Sequence, residues 1–437
     1  MTSERVAVDT GELLAAYDTH VRGHVPEHPP LGAVVEREGP LVSVHHGTHA
    51  VVDHTDTTGV DMTALVRGQQ KEADRRTEPV EWRVHAHDSP GLAEALVTAG
   101  FTPGWERPVL AAPLDAVPDV DPPPGHILLP GTHHYDEQAL RLAEASEPHR
   151  RPLTEHMRDG TRFEGVSLKL VEEGRVHAVA WFQVLTGTPF AVVEGMTAPC
   201  PTLLSEMVEW TRPTTPRRWG WFGAGIRFAA AEADGELRRM YLGSGFHEVT
   251  SVRSYHWSPA GVPAVERPVR QLLSDPEHDD LWDRFYERFS FKPSIEVYPG
   301  IREPVGSATW FLDRPNDPEL EQVIVPEVLA LARPDELLYW LDWNHTGYRF
   351  DPRRVGGPGQ PEVPGQVFPD GDYYIYTTRD LRMGTFGHPW ENTLCVFGRD
   401  LLDRVENGLT ALLGEPTRRN GRNTGRVWTF GPECGPR

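Results

Sequence analysis

The segment GIRFAAAEADGELRRMYLGSGFHEVTSVRSYHW, residues 225–257, has the pattern of a strand, a short helix and a second strand. Asp234 precedes the helical part, 235–242, where an N-cap residue belongs, and Gly243 and Gly245 follow it as residues that can end a helix at positive φ. Apolar side chains repeat at helical spacing between these signals, at Leu237, Met240 and Tyr241. The segment therefore predicts a strand–helix–strand unit that closes on a Gly-Phe pair and a β-rich tail.

The same pattern occurs earlier in the chain, at residues 80–114. A strand is followed by a Ser-Pro helix start, by the helical face of Leu92, Leu96 and Val97, by a Gly-Phe pair and by another strand. An internal repeat of about one small-domain length changes the expected architecture. We therefore predict two similar lobes in tandem.

The order helix, Gly-Phe, strand resembles the C-terminal half of N-acyltransferases of the GNAT superfamily, in which a Tyr commonly stands five residues before the Phe. Tyr241 precedes Phe246 by that interval. The resemblance implies an α+β fold with two GNAT-like mixed-sheet lobes, residues 1–118 and 126–258, of which the first is degenerate. The proline-rich, acidic run PLDAVPDVDPPPG is the predicted linker between them.

A third α+β domain is expected at residues 269–432, after a second linker, SPAGVPAVERP. Its strings LDWNHTGYRF, PDGDYYIY and FGHPWENTLCVFG resemble a bacterial family of unknown function. Two pairs of a histidine and a carboxylate stand out there: Asp342 with His345, and His388 with Glu391. They fit either an acid–base or metal site formed across a hairpin, or polar anchors that hold turns, and we favour the anchors.

The composition excludes some classes of partner. Acidic residues outnumber basic ones by 64 to 43, for a net charge of −21, which opposes binding to nucleic acid or to an anionic membrane. Three scattered cysteines give neither a disulfide framework nor a zinc motif. With no signal peptide and no long apolar run, we expect a cytoplasmic bacterial protein that lacks a bound metal.

The GNAT resemblance implies a reaction and two catalytic residues. Transfer of an acyl group from a thioester to an amine needs a base, a polarised carbonyl and an acid for the leaving thiolate. The resemblance places the base at Glu194, on the fourth strand of the second lobe, and the acid at Tyr241. It implies acetyl-CoA as the co-substrate and a small amine as the acceptor. The structural alternatives are a solvated edge-strand charge for Glu194 and a core aromatic for Tyr241.

The loop that holds the CoA pyrophosphate in this superfamily, Gln/Arg-x-x-Gly-x-Gly/Ala, is missing from its expected place. Residues 196–204, MTAPCPTLL, contain no glycine, no cationic side chain and two prolines that lack N–H donors. A glycine-rich string occurs later, and its residues Arg217, Arg218, Gly223 and Gly225 are the candidate anion-binding residues. The alternatives are a non-catalytic protein of this fold that binds a ligand or a partner, and an activity carried by the C-terminal domain.

Overall fold

The computed structural model describes residues 9–25, 29–131, 165–211, 225–272, 276–312 and 318–425. The chain forms two compact units, Met1–Arg267 and Pro268–Arg437. The three-domain division predicted from the sequence, with its boundary at 119–125, stays a prediction. The predicted helix at 135–147 lies outside the described residues. No described helix has the length and apolarity needed to cross a bilayer.

Helices of the first unit precede or connect its strands. The helices are α1 (Thr10–His20), α2 (Met62–Arg76), α3 (Pro90–Thr98), α4 (Pro201–Thr211) and α5 (Gly235–Gly243). The strands are β1 (Val34–Glu38), β2 (Leu41–His45), β3 (Ala50–His54), β4 (Val80–His85), β5 (Thr102–Pro113), β6 (His126–Gly131), β7 (Gly165–Glu172), β8 (Arg175–Val184), β9 (Phe190–Glu194), β10 (Phe228–Glu232) and β11 (His247–Trp257).

These strands form one mixed sheet, which in the described residues has the order β1-β2-β3-β4-β11-β5-β10-β9-β8-β7-β6. β11, from the end of the unit, lies between β4 and β5, whereas β5 lies between β11 and β10. The last strand of the first half, β5, thus lies between two strands of the second half, and the last strand of the second half, β11, lies between two strands of the first half. The exchange joins both predicted lobes through a continuous ladder of backbone hydrogen bonds.

Both faces of this sheet carry apolar clusters. On one face, α2 and α3 cover the first half around Trp82, and α4 and α5 cover the second half around Leu203. On the other face, α1 packs over the central strands through Tyr17, which contacts a cluster that includes Val109 and Val252. The predicted α+β class with a mixed sheet is therefore confirmed.

Local details depart from the sequence-based prediction at three points. Asp234 precedes α5, but its carboxylate accepts a hydrogen bond from Trp105 Nε1 at 3.1 Å and makes no capping bond to the helix. Gly243 lies within α5, and the positive φ of +88° occurs at Gly245 instead. Val97 is 53% exposed, so the buried face of α3 consists of Leu92 and Leu96.

The second unit has its own sheet, with antiparallel pairing throughout the described registers. Its helices are α6 (Pro276–Phe289), α7 (Pro318–Ala330) and α8 (Arg399–Leu413). Its strands are β12 (Val269–Gln271), β13 (Ser307–Phe311), β14 (Leu338–Asp342), β15 (Tyr348–Phe350), β16 (Tyr374–Thr378), β17 (Gly384–His388), β18 (Thr393–Phe397), β19 (Arg418–Arg419) and β20 (Arg422–Asn423). The order among described strands is β12-β15-β14-β16-β17-β18-β13-β19-β20, which confirms the predicted α+β character.

Candidate functional site

The parallel strands β9 and β10 separate before either strand ends. Their last backbone pair is Val193 with Ala231. Beyond it, Glu194 pairs only outward with β8, and Glu232 pairs only outward with β5. A position without mutual backbone pairing therefore lies between the carboxyl ends of the two strands, one residue beyond their last pair. We call it the second-half gap.

One predicted catalytic residue ends β9, and the other lies in α5, the helix that follows β10. Glu194 is the last residue of β9, and its backbone pairs with Trp181. Tyr241 lies in α5, is 2% exposed and packs its ring on Phe246 with a centroid distance of 5.0 Å. The burial of Tyr241 in an apolar cluster agrees with its alternative as a core aromatic. Catalytic roles for both residues stay predictions.

A matching gap occurs in the first half. β3 and β4 are parallel, and their last backbone pair is Val52 with Trp82, although β3 continues to His54 and β4 to His85. The two gaps have the same construction, because in both cases each strand remains bonded only to its outer neighbour. The repeat seen in the sequence thus corresponds to a repeat of two strand separations.

A buried polar network occupies the first-half gap. The Arg22 guanidinium donates to Asp88 Oδ1 at 2.7 Å and to the carbonyl oxygen of His54 at 3.2 Å. The second carboxylate oxygen of Asp88 lies 3.1 Å from His54 Nε2 and accepts the backbone N–H of His85 at 2.6 Å. The Tyr17 hydroxyl lies 3.4 Å from His85 Nε2. These side chains fill the first-half gap with an internal ion pair.

The network holds its groups in fixed charge states. Burial alone would raise the pKa of Asp88, but its bond to His54 and the charge of Arg22 lower it well below the usual range. Burial, together with the charges of Arg83 and Arg22, lowers the pKa of His85 to about 2. His85 is therefore neutral and Asp88 ionised at physiological pH.

The N-terminus of α4 is closed rather than open to an anion. The Cys200 thiol lies beside the backbone N–H groups of Thr202 and Leu203, and burial raises its pKa despite these bonds. Cys200 is 6% exposed and Leu203 is completely buried. Two of the N–H groups that would face an anion at a helix N-terminus thus already face a sulfur atom.

The acidic linker passes over the same helix. Ser205 donates its hydroxyl hydrogen to Asp119 Oδ1 at 3.1 Å and accepts the N–H of Val120 at 3.0 Å. Thr202 donates to the carbonyl oxygen of Asp121 at 3.4 Å. A carboxylate beside Ser205 and a backbone contact to Thr202 do not favour binding of the CoA pyrophosphate at the start of α4. The structure agrees with the absence of the loop from the sequence.

The alternative anion-binding residues are described only in part. Gly225 lies three residues before the start of β10 and has a φ of +106°, a conformation that favours glycine. Arg217, Arg218 and Gly223 lie outside the described residues. The assignment of these four residues to a phosphate stays a prediction.

The two histidine–carboxylate pairs of the second unit are separate sites. His345 Nδ1 lies 3.1 Å from Asp342 and 3.5 Å from Asp372, which comes from a different strand region. Burial and the nearby Asp372 raise the pKa of Asp342 to about 6, although His345 opposes the shift.

His388, by contrast, is a structural anchor. It is completely buried, and its Nδ1 accepts the backbone N–H of Glu391 at 3.1 Å. The Glu391 carboxylate binds Arg418 through both oxygens, at 2.6 and 2.9 Å. This arrangement agrees with the favoured interpretation of polar anchors for His388 and Glu391.

The second unit also contains an open pocket of about 490 Å³ beside α7. Pro326 lies inside that helix and has no N–H, so the carbonyl of Gln322 loses its helical partner, and both residues line the pocket. Burial raises the pKa of Glu321, another lining residue, whose carboxylate accepts the N–H of Val367 at 2.5 Å. The remaining walls are mainly apolar, as in small-molecule sites.

Sequence reasoning missed the network of Arg22, His54, His85 and Asp88, and it missed Asp372 as the partner of His345. The network residues are far apart in the chain, and histidines near an arginine carry no spacing signal. The repeat offered an indication, because β4 is the first-half counterpart of β10: His85 is the last residue of β4, and Asp88 follows that strand.

One family model matches residues within the second unit. Residues 272–402 match the family model described as "Protein of unknown function (DUF2716)". The uncharacterized protein YxiI of Bacillus subtilis is 30% identical over 149 residues, which cover 31% of this chain and 92% of that protein.

The fold of the first unit has neighbours among solved structures. A GCN5-related N-acetyltransferase from Kribbella flavida is similar with a TM-score of 0.40 and 15% identity, over 59% of this chain and 98% of that one. A tandem GNAT protein from the clavulanic acid biosynthesis pathway is similar with a TM-score of 0.39 and 14% identity, over 58% and 95%. These neighbours are GNAT proteins, as the resemblance in the sequence implied.

Proposed function

We propose, for a chain that belongs to the DUF2716 family through residues 272–402 of its second unit, that the first unit supplies the chemistry. The proposed reaction is transfer of an acyl group from a thioester to a small amine at the second-half gap. The observation that carries the proposal is the loss of pairing between β9 and β10 after Val193 and Ala231. Strands that separate in this way expose backbone N–H groups to a carbonyl oxygen in the gap.

The choice between the two gaps rests on the buried network. In the first half, Arg22 and Asp88 fill the gap with an ion pair whose side chains are 7% and 8% exposed. Displacing this pair would leave a buried charge without its partner, at a cost of about 3–5 kcal/mol. The first half therefore acts as a scaffold, and the reaction belongs to the second half.

The proposed roles follow the order of proton transfers. The amine nitrogen attacks the thioester carbonyl carbon, and Glu194 accepts the proton that the nitrogen loses as the C–N bond forms. The C–S bond then breaks, and the Tyr241 hydroxyl donates a proton to the leaving thiolate. The net charge of −21 favours a cationic or neutral acceptor over an anionic one.

A non-catalytic role in ligand binding is the second candidate. The observation that favours it is the closed N-terminus of α4, where Cys200 and the acidic linker occupy the place of an anion. A unit with that construction retains the fold and the gap but binds an uncharged ligand more readily than a CoA thioester.

Titration of the full-length protein with acetyl-CoA, followed by an assay of acyl transfer to a panel of small amines, tests the proposal. Acetyl-CoA at about 100 times its dissociation constant should stabilise the protein by about 2.7 kcal/mol. Glu194→Gln and Tyr241→Phe should each lower kcat by about 10²–10⁴-fold. Glu236→Gln, which changes an exposed carboxylate on α5, and His388→Asn, in the second unit, should leave kcat unchanged.

Two results would contradict the proposal. Absence of binding and transfer at millimolar acetyl-CoA would exclude the CoA thioester and favour the ligand-binding candidate. Transfer that survives Glu194→Gln but is lost in His388→Asn would place the activity in the second unit.

A further inference from the structure

Three potential metal ligands converge at one edge of the first unit's sheet. His126 starts β6, Glu172 ends β7, and His177 lies near the start of β8. Their ligand atoms all lie within 4.8 Å of one another. Two imidazoles and one carboxylate are a donor set that catalytic zinc sites use.

The sheet geometry explains why these three side chains meet. His126 and Glu172 are direct partners across the antiparallel pair β6 and β7, which brings their Cβ atoms to about 4.5–5.5 Å. The register between β7 and β8 shifts after Leu170, so that Leu170 pairs with Ala178 but Val171 pairs with Val176. His177 is therefore the extra residue of a β-bulge, and a bulge re-aims a side chain relative to the regular alternation.

The distances fit an ion better than they fit hydrogen bonds. Glu172 Oε2 lies 3.8 Å from His126 Nε2 and 3.4 Å from His177 Nε2, beyond the usual 2.7–3.2 Å of a hydrogen bond. Ligand atoms around tetrahedral zinc, with bonds of about 2.0–2.1 Å, are separated by about 3.3–3.4 Å. The two carboxylate–imidazole distances thus need shifts of no more than about half an ångström to match this separation, and all three ligand atoms lie within 4.8 Å of one another.

The orientation of His126 is set by a second contact. Its Nδ1 lies 3.4 Å from the carbonyl oxygen of Pro124, which can only accept a hydrogen bond. This contact is long for a hydrogen bond, and it favours the neutral tautomer with the proton on Nδ1 and the lone pair on Nε2, which lies 3.8 Å from Glu172 Oε2. Metal-binding histidines are typically held by such a contact to a backbone carbonyl.

We propose that His126, Glu172 and His177 bind a divalent transition-metal ion of the zinc type, with water at the fourth position. The side chains of the three residues are 18%, 41% and 39% exposed, so water and metal reach the site. A bound ion would tie the end of the acidic linker, which leads into β6, to the turn between β7 and β8. The proposal departs from the expectation that the protein lacks a metal, and it does not depend on acyl transfer.

Zinc titration of the chelator-treated full-length protein by calorimetry is the first test. We expect one equivalent of Zn²⁺ to bind at His126, Glu172 and His177. His126→Ala and His177→Ala should each lower the affinity for Zn²⁺ at least about tenfold. His247→Ala, on β11, is the matched control. His345→Ala removes the imidazole from the other histidine–carboxylate cluster, and both controls should retain the equivalent. Ca²⁺ and Mg²⁺ should not compete, because they prefer oxygen ligands.

X-ray absorption of the zinc-loaded wild-type protein tests the proposal without relying on the stability of the variants. The expected first coordination shell has nitrogen and oxygen neighbours with two imidazoles. Sulfur neighbours, absence of binding at about 0.1 mM Zn²⁺, or binding by His126→Ala/His177→Ala with wild-type affinity would each overturn the proposal.

Discussion

Arg83 on β4 and Glu232 on β10 form an ion pair that links the two halves of the first unit's sheet across the intervening strands β11 and β5. Arg107 on β5 also donates to Glu232, at 2.9 and 3.0 Å. Burial opposes the charge on Arg83, but Glu232 raises its pKa above the usual value. Glu232 thus holds two arginines at the centre of the exchanged strands.

Replacing Glu232 by Gln should destabilise the first unit by about 1–3 kcal/mol, because both arginines remain partly buried without a counter-charge. Urea unfolding of the full-length protein measures the change. Glu248→Gln is the matched control, since Glu248 pairs with Arg238 where both side chains are about 40% exposed, and its effect should stay below about 1 kcal/mol. Equal effects in the two variants would show that the central pair contributes no more than a surface pair.

Substitution of Gly245 by Ala should destabilise the protein more than the equivalent change of Gly100. Both glycines precede the Phe of a repeat and have positive φ, +88° and +90°. A Cβ at Gly245 would lie 2.5 Å from the carbonyl oxygen of Ala116, whereas a Cβ at Gly100 meets nothing within 4 Å. Gly100→Ala should therefore cost about 1–2 kcal/mol for its conformation alone.

The additional cost of the clash at Gly245 is the difference in the free energy of unfolding between the two variants, measured by thermal or urea unfolding. We expect Gly245→Ala to lose at least about 1 kcal/mol more than Gly100→Ala. A smaller loss at Gly245 would mean that the linker at Ala116 moves freely away from β11.

The stability of the second unit should fall as the pH decreases from about 6.5 to 4, in part because of His388. Burial and the nearby Arg418 lower the pKa of His388 to about 4, although Glu391 opposes them. The unfolded chain therefore binds a proton at higher pH than the folded chain, and protons favour unfolding across this window. Above about pH 6.5 the residue is neutral in both states and has no such effect.

His388→Asn retains a hydrogen-bond acceptor for the Glu391 N–H but does not titrate. Urea unfolding at pH 7, 6 and 5 should show a weaker loss of stability with falling pH in this variant than in wild type. The rings of Tyr298 and Tyr373 lie 5.1 and 4.8 Å from His388, and burial raises the pKa of Tyr373. Identical pH profiles would show that His388 is protonated without cost in the folded state.

Two substitutions of Glu321 separate its charge from its role as an acceptor. Glu321→Gln keeps an oxygen for the N–H of Val367 and removes a buried carboxylate whose pKa is raised by burial, so stability at pH 7 should stay equal or increase slightly. Glu321→Ala leaves that N–H without its acceptor and should cost about 1–3 kcal/mol. Unfolding at pH 7 measures both variants, and a large loss in Glu321→Gln would show that the charge itself stabilises the pocket.

Local signals in the sequence were sufficient for the elements of the repeat. The predicted strand, helix and strand at 226–255 correspond to β10, α5 and β11, because apolar periodicity and the Gly-Phe pair are properties of neighbouring residues. The missing glycines and the two prolines at 196–204 are also a local signal, since prolines lack N–H groups whatever the tertiary fold, and the loss of pyrophosphate binding at α4 stays a prediction.

Only the tertiary structure decided which strands become neighbours. The insertion of β11 between β4 and β5 depends on pairing between residues more than 130 positions apart, for which alternation within a strand contains no information. The same holds for the sites: Arg22 meets Asp88, Asp372 meets His345, and His177 meets His126 because sheet register and a bulge bring them together. The sequence by itself determined the elements of the repeat, whereas long-range backbone pairing determined where charges and the proposed metal ligands converge.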